Sequence, residues 1–170
     1  MIQKAKVCLI GATAVGKSSL VRRFVRSIFS DDYRTTIGVH IETCKVERPR
    51  GALELVLWDL SGEDEFQTVQ PSYLRGAAGC LLVVDGTRRE TCDVVLMLVE
   101  RVKSAVGPVP FVVVLNKVDL VASWEVTDGE LSRMTEKGWA IVEASAKTGR
   151  GVVEAFARLS DAILGTRPWT

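Results

Sequence analysis

An α/β fold, a three-layer sandwich around a six-stranded, mostly parallel sheet with about five helices, is predicted by two features of the 170-residue sequence. Apolar runs of strand length recur along the chain, and after an early pair of them each is separated from the next by a segment long enough for a helix. Two of these runs, "GCLLVVD" and "VPFVVVLNK", are nearly continuous rather than alternating, the pattern of strands covered on both faces.

Taken in order, "KAKVCLIG" reads as the first strand. In "KSSLVRRFVRSIF", Leu20, Val21, Phe24, Val25 and Ile28 recur at spacings of three and four, giving a helix with one apolar face. Residues 29–38 are polar and turn-like. "VHIETCKVE" and "LELVLWD" follow as strands two and three, joined as a hairpin through "RPRG", where Pro49 and Gly51 supply turn chemistry. "GCLLVVD" is the fourth strand, "CDVVLMLVERVKSAV" a helix and "VPFVVVLNK" the fifth strand. Asp128 to Glu136 suits a short helix capped by Thr127, and "WAIVEAS" is the sixth strand. "GVVEAFARLSDAIL" closes the chain as a helix, with Val152, Val153, Phe156, Leu159 and Ile163 expected inward. No repeat, low-complexity tract or linker interrupts this order, so residues 1–170 are expected to form one domain.

Composition narrows the function class mainly by exclusion. Lys and Arg number 22 against 21 Asp and Glu, a formal charge of +1, without the basic excess of a general nucleic-acid binder. Cys8, Cys44, Cys80 and Cys92 are scattered, and His40 is the only histidine, so neither a disulfide framework nor a Cys/His metal site is expected. No apolar stretch approaches the roughly 20 residues that span a bilayer, and the first residues lack the uninterrupted apolar core of a signal peptide. A soluble, cytoplasmic chain is the expectation.

A doubly wound sheet binds ligands beyond the carboxyl ends of its strands, so the loops after those runs carry the chemistry. The first is "GATAVGKS", which follows a strand and opens a helix. Gly11 and Gly16 allow the tight curl that turns the N–H groups of Ala12, Thr13, Ala14 and Val15 toward a phosphate, at the positive end of the new helix. Lys17 can reach the β- and γ-phosphates, Ser18 can ligate Mg²⁺, and Ser19 continues the phosphate-binding turn. This is the signature of the P-loop NTPase fold.

Base choice is addressed by two further strand-end loops. In "NKVD", Asp119 can accept from the N1–H and exocyclic amine of guanine, a donor pair that adenine does not offer. Asn116 can brace the loop and meet the other edge of the base. The stem of Lys117 can lie over the ring, with its ammonium in water or near the ribose oxygen. In "EASAK", the N–H of Ala146 can bind the guanine oxygen while Ser145 and Lys147 hold the loop.

With these loops in place, the chain resembles a small GTPase of the Ras superfamily, nearest to its Rab branch, from Lys6 to about Leu164. "FSDDYRTTIGVHI" is similar to the Rab switch I and "SYLRGAAG" to the segment after switch II. The resemblance implies that Phe29 stacks on guanine, Tyr33 covers the phosphates, and Thr36 binds Mg²⁺ and the γ-phosphate. It further implies that Ile41, Trp58 and Tyr73 form the effector-facing triad. Ile41 stands where Rab proteins usually have phenylalanine, which leaves room for altered effector recognition.

In "WDLSGEDEF", the resemblance implies that Asp59 binds Mg²⁺ through a water and that Gly62 offers its N–H to the γ-phosphate. Loss of that phosphate would release Gly62 and Thr36 and relax both switches. The family usually has glutamine after this glycine, orienting water and donating to the developing charge. Glu63 is acceptor-only when ionised, so slow GTP hydrolysis and a weak response to an activating protein are expected. Alternatively Glu63 swings into water or pairs with Arg75, leaving chemistry to Lys17, Mg²⁺ and the backbone. The Cβ of Thr13 would also intrude where an external arginine finger reaches, and Arg34 is expected as an exposed switch residue, the alternative being that it assists in cis.

The expected function is thus a GTP/GDP- and Mg²⁺-dependent switch that hydrolyses GTP and recruits effectors in vesicle traffic or signalling. An exchange factor and an activating protein would act on it, with no nucleic acid among its partners. The rivals are a hydrolysis-impaired, GTP-bound scaffold and a P-loop kinase. A kinase would need an acceptor pocket and an arginine-rich lid, for which no segment is evident. Rab-like chains usually continue into a prenylated tail, whereas this sequence stops at "ILGTRPWT". Either it is a piece cut after the last helix, or this member works without that anchor. A membrane enters as a partner only through such a tail.

Overall fold

The computed structural model describes residues 2–27, 38–60 and 69–165. Its elements are β1 (Gln3–Gly11), α1 (Lys17–Arg26), β2 (Val39–Arg48), β3 (Gly51–Leu60), α2 (Pro71–Leu74) and β4 (Gly79–Asp85). There follow α3 (Glu90–Val106), β5 (Phe111–Asn116), a 3₁₀ turn (Val121–Ser123), α4 (Asp128–Thr135), β6 (Ile141–Glu143) and α5 (Val152–Gly165). The strands form one six-stranded sheet in the order β2-β3-β1-β4-β5-β6. Only β2 runs antiparallel to its neighbour, with Arg48 registered opposite Gly51 across the expected turn. The other adjacent pairs are parallel. The carboxyl ends of five strands therefore meet at one edge of the sheet, and the order reverses around β1, the place where doubly wound sheets bind their ligands.

Strand sequence follows position in the sheet. Central β4 is buried at every residue, whereas edge strand β2 alternates between exposed and half-buried residues, because only one of its faces meets the core. Helices α1 and α5 lie against each other, joined by the stacked rings of Phe24 and Phe156 at 3.8 Å. Helix α2 contacts α3. The Glu130 carboxylate accepts the Thr127 N–H (2.8 Å) in the capping box that starts α4.

Two expectations change, and one element is added. Val153 points outward and is 68% exposed. Val152, Phe156, Leu159 and Ile163 form the inward stripe, and a neighbour one position along is turned about 100° from it. Ala155 and Ser160 complete that face instead, the Ser160 hydroxyl donating to the Phe156 carbonyl at 2.7 Å. Helix α1 stops at Arg26, because Ser27 turns left-handed (φ 52°) and returns its N–H to the Arg23 carbonyl; Ile28 and Phe29 lie outside the described residues. Pro71 also opens a single helical turn, α2, within a segment that carried no periodic signal. Among the described residues, no helix is long and apolar enough to cross a membrane.

Candidate functional site

β1 ends at Gly11 and α1 begins at Lys17, so residues 12–16 form the loop at the centre of the carboxyl edge. Two glycines are required by close approach. A Cβ on Gly11 would lie 2.4 Å from the Val83 carbonyl oxygen, and one on Gly16, where φ is 101°, would lie 2.3 Å from Asn116 Nδ2. Ala12 and Val15 anchor the loop in the core, while Thr13 and Ala14 are half-buried. Lys17 is 7% exposed and curls its Nζ over the loop to donate to the carbonyls of Gly11 (2.8 Å) and Ala12 (2.9 Å). Ser18 and Ser19 lie in the first turn of α1, half-buried.

The base-side loop reaches into this one. Asn116 Nδ2 donates to the Val15 carbonyl (2.9 Å), and Lys117 Nζ donates to the Ala14 carbonyl (2.9 Å). In a trans peptide the carbonyl and the following N–H point in opposite directions. Holding the carbonyls of Ala14 and Val15 toward β5 thus turns the N–H groups of Val15 and Gly16 the other way, forming part of an anion-binding nest at the start of α1. Ala14 adopts φ 62°, a conformation uncommon for a residue with a side chain.

Asn116 also links the two base-side loops, because its Oδ1 accepts the Ala146 N–H at 3.2 Å. The buried Ser145 hydroxyl donates to Asp119 Oδ1 (2.7 Å) and accepts the Thr148 N–H (3.0 Å). Two expectations shift here. The Lys117 ammonium, expected in water or near the ribose oxygen, donates to the Ala14 carbonyl and to Asp85 Oδ2 at 2.7 Å. The Ala146 N–H, expected to face guanine, donates to Asn116 Oδ1. Lys147 contributes its backbone carbonyl to loop structure while its side chain is exposed.

Two residues that no motif contains hold these loops. Asp85, 1% exposed at the end of β4, accepts from Thr87 N–H (2.9 Å), Thr87 hydroxyl (2.7 Å) and Lys117. Burial pushes its carboxyl up, but the hydrogen bonds from Lys117 and Thr87, with the charge of Lys117, outweigh this and hold it below the ordinary carboxylate range. A lone acid closing a wholly apolar strand was its available signal. Arg23, on α1, donates Nε to the Ala146 carbonyl (2.7 Å) and Nη2 to the Lys147 carbonyl. Nothing local in the sequence marks it out.

At the other end of the loop, Asp59 is 2% exposed at the end of β3. Its Oδ2 accepts the Ser18 hydroxyl, while its buried Oδ1 has no hydrogen-bond partner among the described residues. Burial raises its carboxyl above the ordinary range, against the Ser18 hydrogen bond and the charges of Lys17, His40 and Arg22. A buried carboxylate oxygen beside a hydroxyl is a hard-oxygen donor set, and it fits Mg²⁺. Phe29, Tyr33, Arg34, Thr36, Gly62 and Glu63 lie outside the described residues.

The three residues expected to face effectors are carried by neighbouring elements. Ile41 on β2 is registered opposite Trp58 on β3 and is 47% exposed. Trp58 is half-buried, with Lys6 Nζ 3.6 Å above its ring. Cys8, registered beside Trp58, donates its thiol to the Tyr73 carbonyl (3.7 Å), which brings α2 next to the same strands.

A profile described as Ras family matches residues 6–165. Ras-related protein Rab-4 of Dictyostelium discoideum is 38% identical over 161 residues, covering 94% of this chain and 78% of that protein. Human Ras-related protein Rab-22A is 34% identical over 168 residues, covering 97% and 86% respectively. Human Ras-related protein Rab-4B is 38% identical over 162 residues, covering 94% and 76%. With the phosphate loop, base-side loops and sheet order described above, these likenesses identify the chain as a member of the Ras family, a Rab-like small GTPase.

Proposed function

We propose that residues 1–170 form one G domain that binds GTP and GDP with Mg²⁺, hydrolyses GTP slowly and recruits effectors in its GTP state, in vesicle traffic or signalling. The observation that carries this reading is Asn116. One buried side chain ties the NKVD loop to the phosphate loop through Val15 and to the EASAK loop through Ala146. Base and phosphates would then be read by parts of one hydrogen-bonded unit.

In this reading Asp119, oriented by Ser145, accepts from the guanine N1–H and amine, and Lys117 lays its stem along the ring while its ammonium braces Ala14. The nest of residues 12–16 and Lys17 receive the β- and γ-phosphates. Ser18, and Asp59 through a water, would hold Mg²⁺, which neutralises phosphate charge when bound. Thr36 and Gly62 would sense the γ-phosphate, while Phe29 and Tyr33 would cover the base and phosphates. Ile41, Trp58 and Tyr73 would present the nucleotide state to effectors, while an exchange factor and an activating protein would set the cycle. The protein would work in the cytoplasm, and on a membrane only through a lipidated tail.

Glu63 supports the slow rate, because an ionised carboxylate cannot donate to the charge developing on the phosphoryl group. Losing one positioned donor costs roughly 3 kcal/mol, about two orders of magnitude in rate. Single-turnover hydrolysis by the protein and by Glu63→Gln tests this, and no gain in the variant would sink the slow-rate reading. Chromatography of the nucleotide retained through purification tests the binding itself. Adenine nucleotide there would overturn the role of Asp119.

A further inference from the structure

Two carbonyls of the phosphate loop are held by residues of the NKVD motif, Val15 by Asn116 and Ala14 by Lys117. A third, that of Thr13, is held by Arg88, whose Nη2 donates to it at 2.6 Å. Arg88 belongs to no nucleotide-binding motif and sits in the turn between β4 and α3. An arginine on such a turn ordinarily extends into water. Here its Nε is bound at 3.0 Å by Asp85 Oδ2, the same oxygen that binds Lys117 Nζ at 2.7 Å. The turn is itself fixed, because the Thr91 hydroxyl accepts the Asp85 N–H (3.0 Å) and donates to the Arg88 carbonyl (2.7 Å). One buried carboxylate therefore aims two cations at two successive carbonyls of the loop.

We infer that Arg88, aimed by Asp85, is a positioning residue for the phosphate nest. By fixing the Thr13 carbonyl it turns the Ala14 N–H toward the ligand side, completing with Lys117 and Asn116 a row of three peptides, 13–14, 14–15 and 15–16, turned the same way. The strained φ of Ala14 lies inside this row, where a free peptide would relax by flipping. Arg88 meets the base-side loops only through the Asp85 oxygen it shares with Lys117, which reads no edge of the base, so its influence falls on phosphates and not on base choice. This rests on the guanine-nucleotide reading above.

The test is the dissociation rate of fluorescently labelled GDP, GTP and IDP from the full chain and from Arg88→Ala, Arg88→Lys and Arg88→Gln. Arg88→Ala is expected to release GDP and GTP roughly tenfold faster, the size of one charge-assisted hydrogen bond, with the GDP-to-IDP ratio unchanged. Arg88→Lys is expected to stay near the wild-type rate, since an ammonium can serve a carboxylate and a carbonyl together, as Lys117 does. Arg88→Gln keeps a neutral donor and would fall between; it stands in for Arg88→Ala if that variant does not fold. Unchanged release from Arg88→Ala, or from Arg88→Gln in its place, overturns the inference. So does an altered GDP-to-IDP ratio, or release from Arg88→Lys as fast as from Arg88→Ala. If the unmodified protein retains no guanine nucleotide, the functional reading fails instead, and the two failures are distinct.

Discussion

The two ends of the phosphate loop are built on opposite plans. At the base end, the polar groups of Asn116, Ser145 and Asp119 are bonded to one another or to backbone, and Arg23 clasps two carbonyls from behind. At the metal end, Asp59 shares one oxygen with Ser18 and leaves the other, buried, with no hydrogen-bond partner among the described residues. An unpaired buried carboxylate oxygen costs stability unless a ligand supplies the opposite charge. On the proposed function, the difference means that base selection would be preorganised, whereas the metal side would be completed by what binds. A switch needs that division, because nucleotide identity must stay constant while the phosphate end changes state.

The largest effect expected from this contrast is on Asp119. Asp119→Ala should weaken GDP by roughly two to four orders of magnitude, the loss of two charge-assisted hydrogen bonds, and should abolish discrimination between GDP and IDP, which lacks the amine. Calorimetric titration of both nucleotides checks this. If discrimination persists without the carboxylate, base selection does not reside in the preorganised end.

Removal of the metal acts on the other end. Chelation of Mg²⁺ should speed release of GDP and IDP alike, by roughly a hundredfold, because Asp59 and the phosphates then face each other without a counter-charge. Stopped-flow release with excess chelator measures it. A chelator effect that differs between the two nucleotides would mean the two ends are not separable.

The smallest effect is expected at Arg23. Arg23→Ala should raise the GDP dissociation rate about tenfold or less, since the guanidinium supports loop carbonyls and the base itself is read by other groups. Its chelator sensitivity should match that of the unmodified protein. A change in that sensitivity would place Arg23 in communication with the metal end and weaken the contrast.

Much of the fold was legible because local patterns encode it directly. The continuous apolar β4 and the alternating β2 declared their burial, and "GATAVGKS" declared a strand, a tight turn and a helix start within eight residues. Val153 was misplaced because an apolar residue beside a helical stripe cannot be assigned to a face by composition alone. Asn116 was legible as a brace, whereas the second partner of Lys117 was not, since Asp85 lies on another strand.

The sequence by itself therefore determined the layered α/β order, the phosphate loop and the residue types suited to guanine and Mg²⁺. Those follow from spacing within short segments. Only the tertiary structure decided which groups hold the loops in shape: Arg88, aimed by Asp85, against Thr13, and Arg23 against Ala146, pairs separated along the chain by 75 residues for Arg88 and 123 for Arg23. Carbonyls carry no side-chain signature, so the residues that orient them become visible only when the sheet brings its carboxyl ends together.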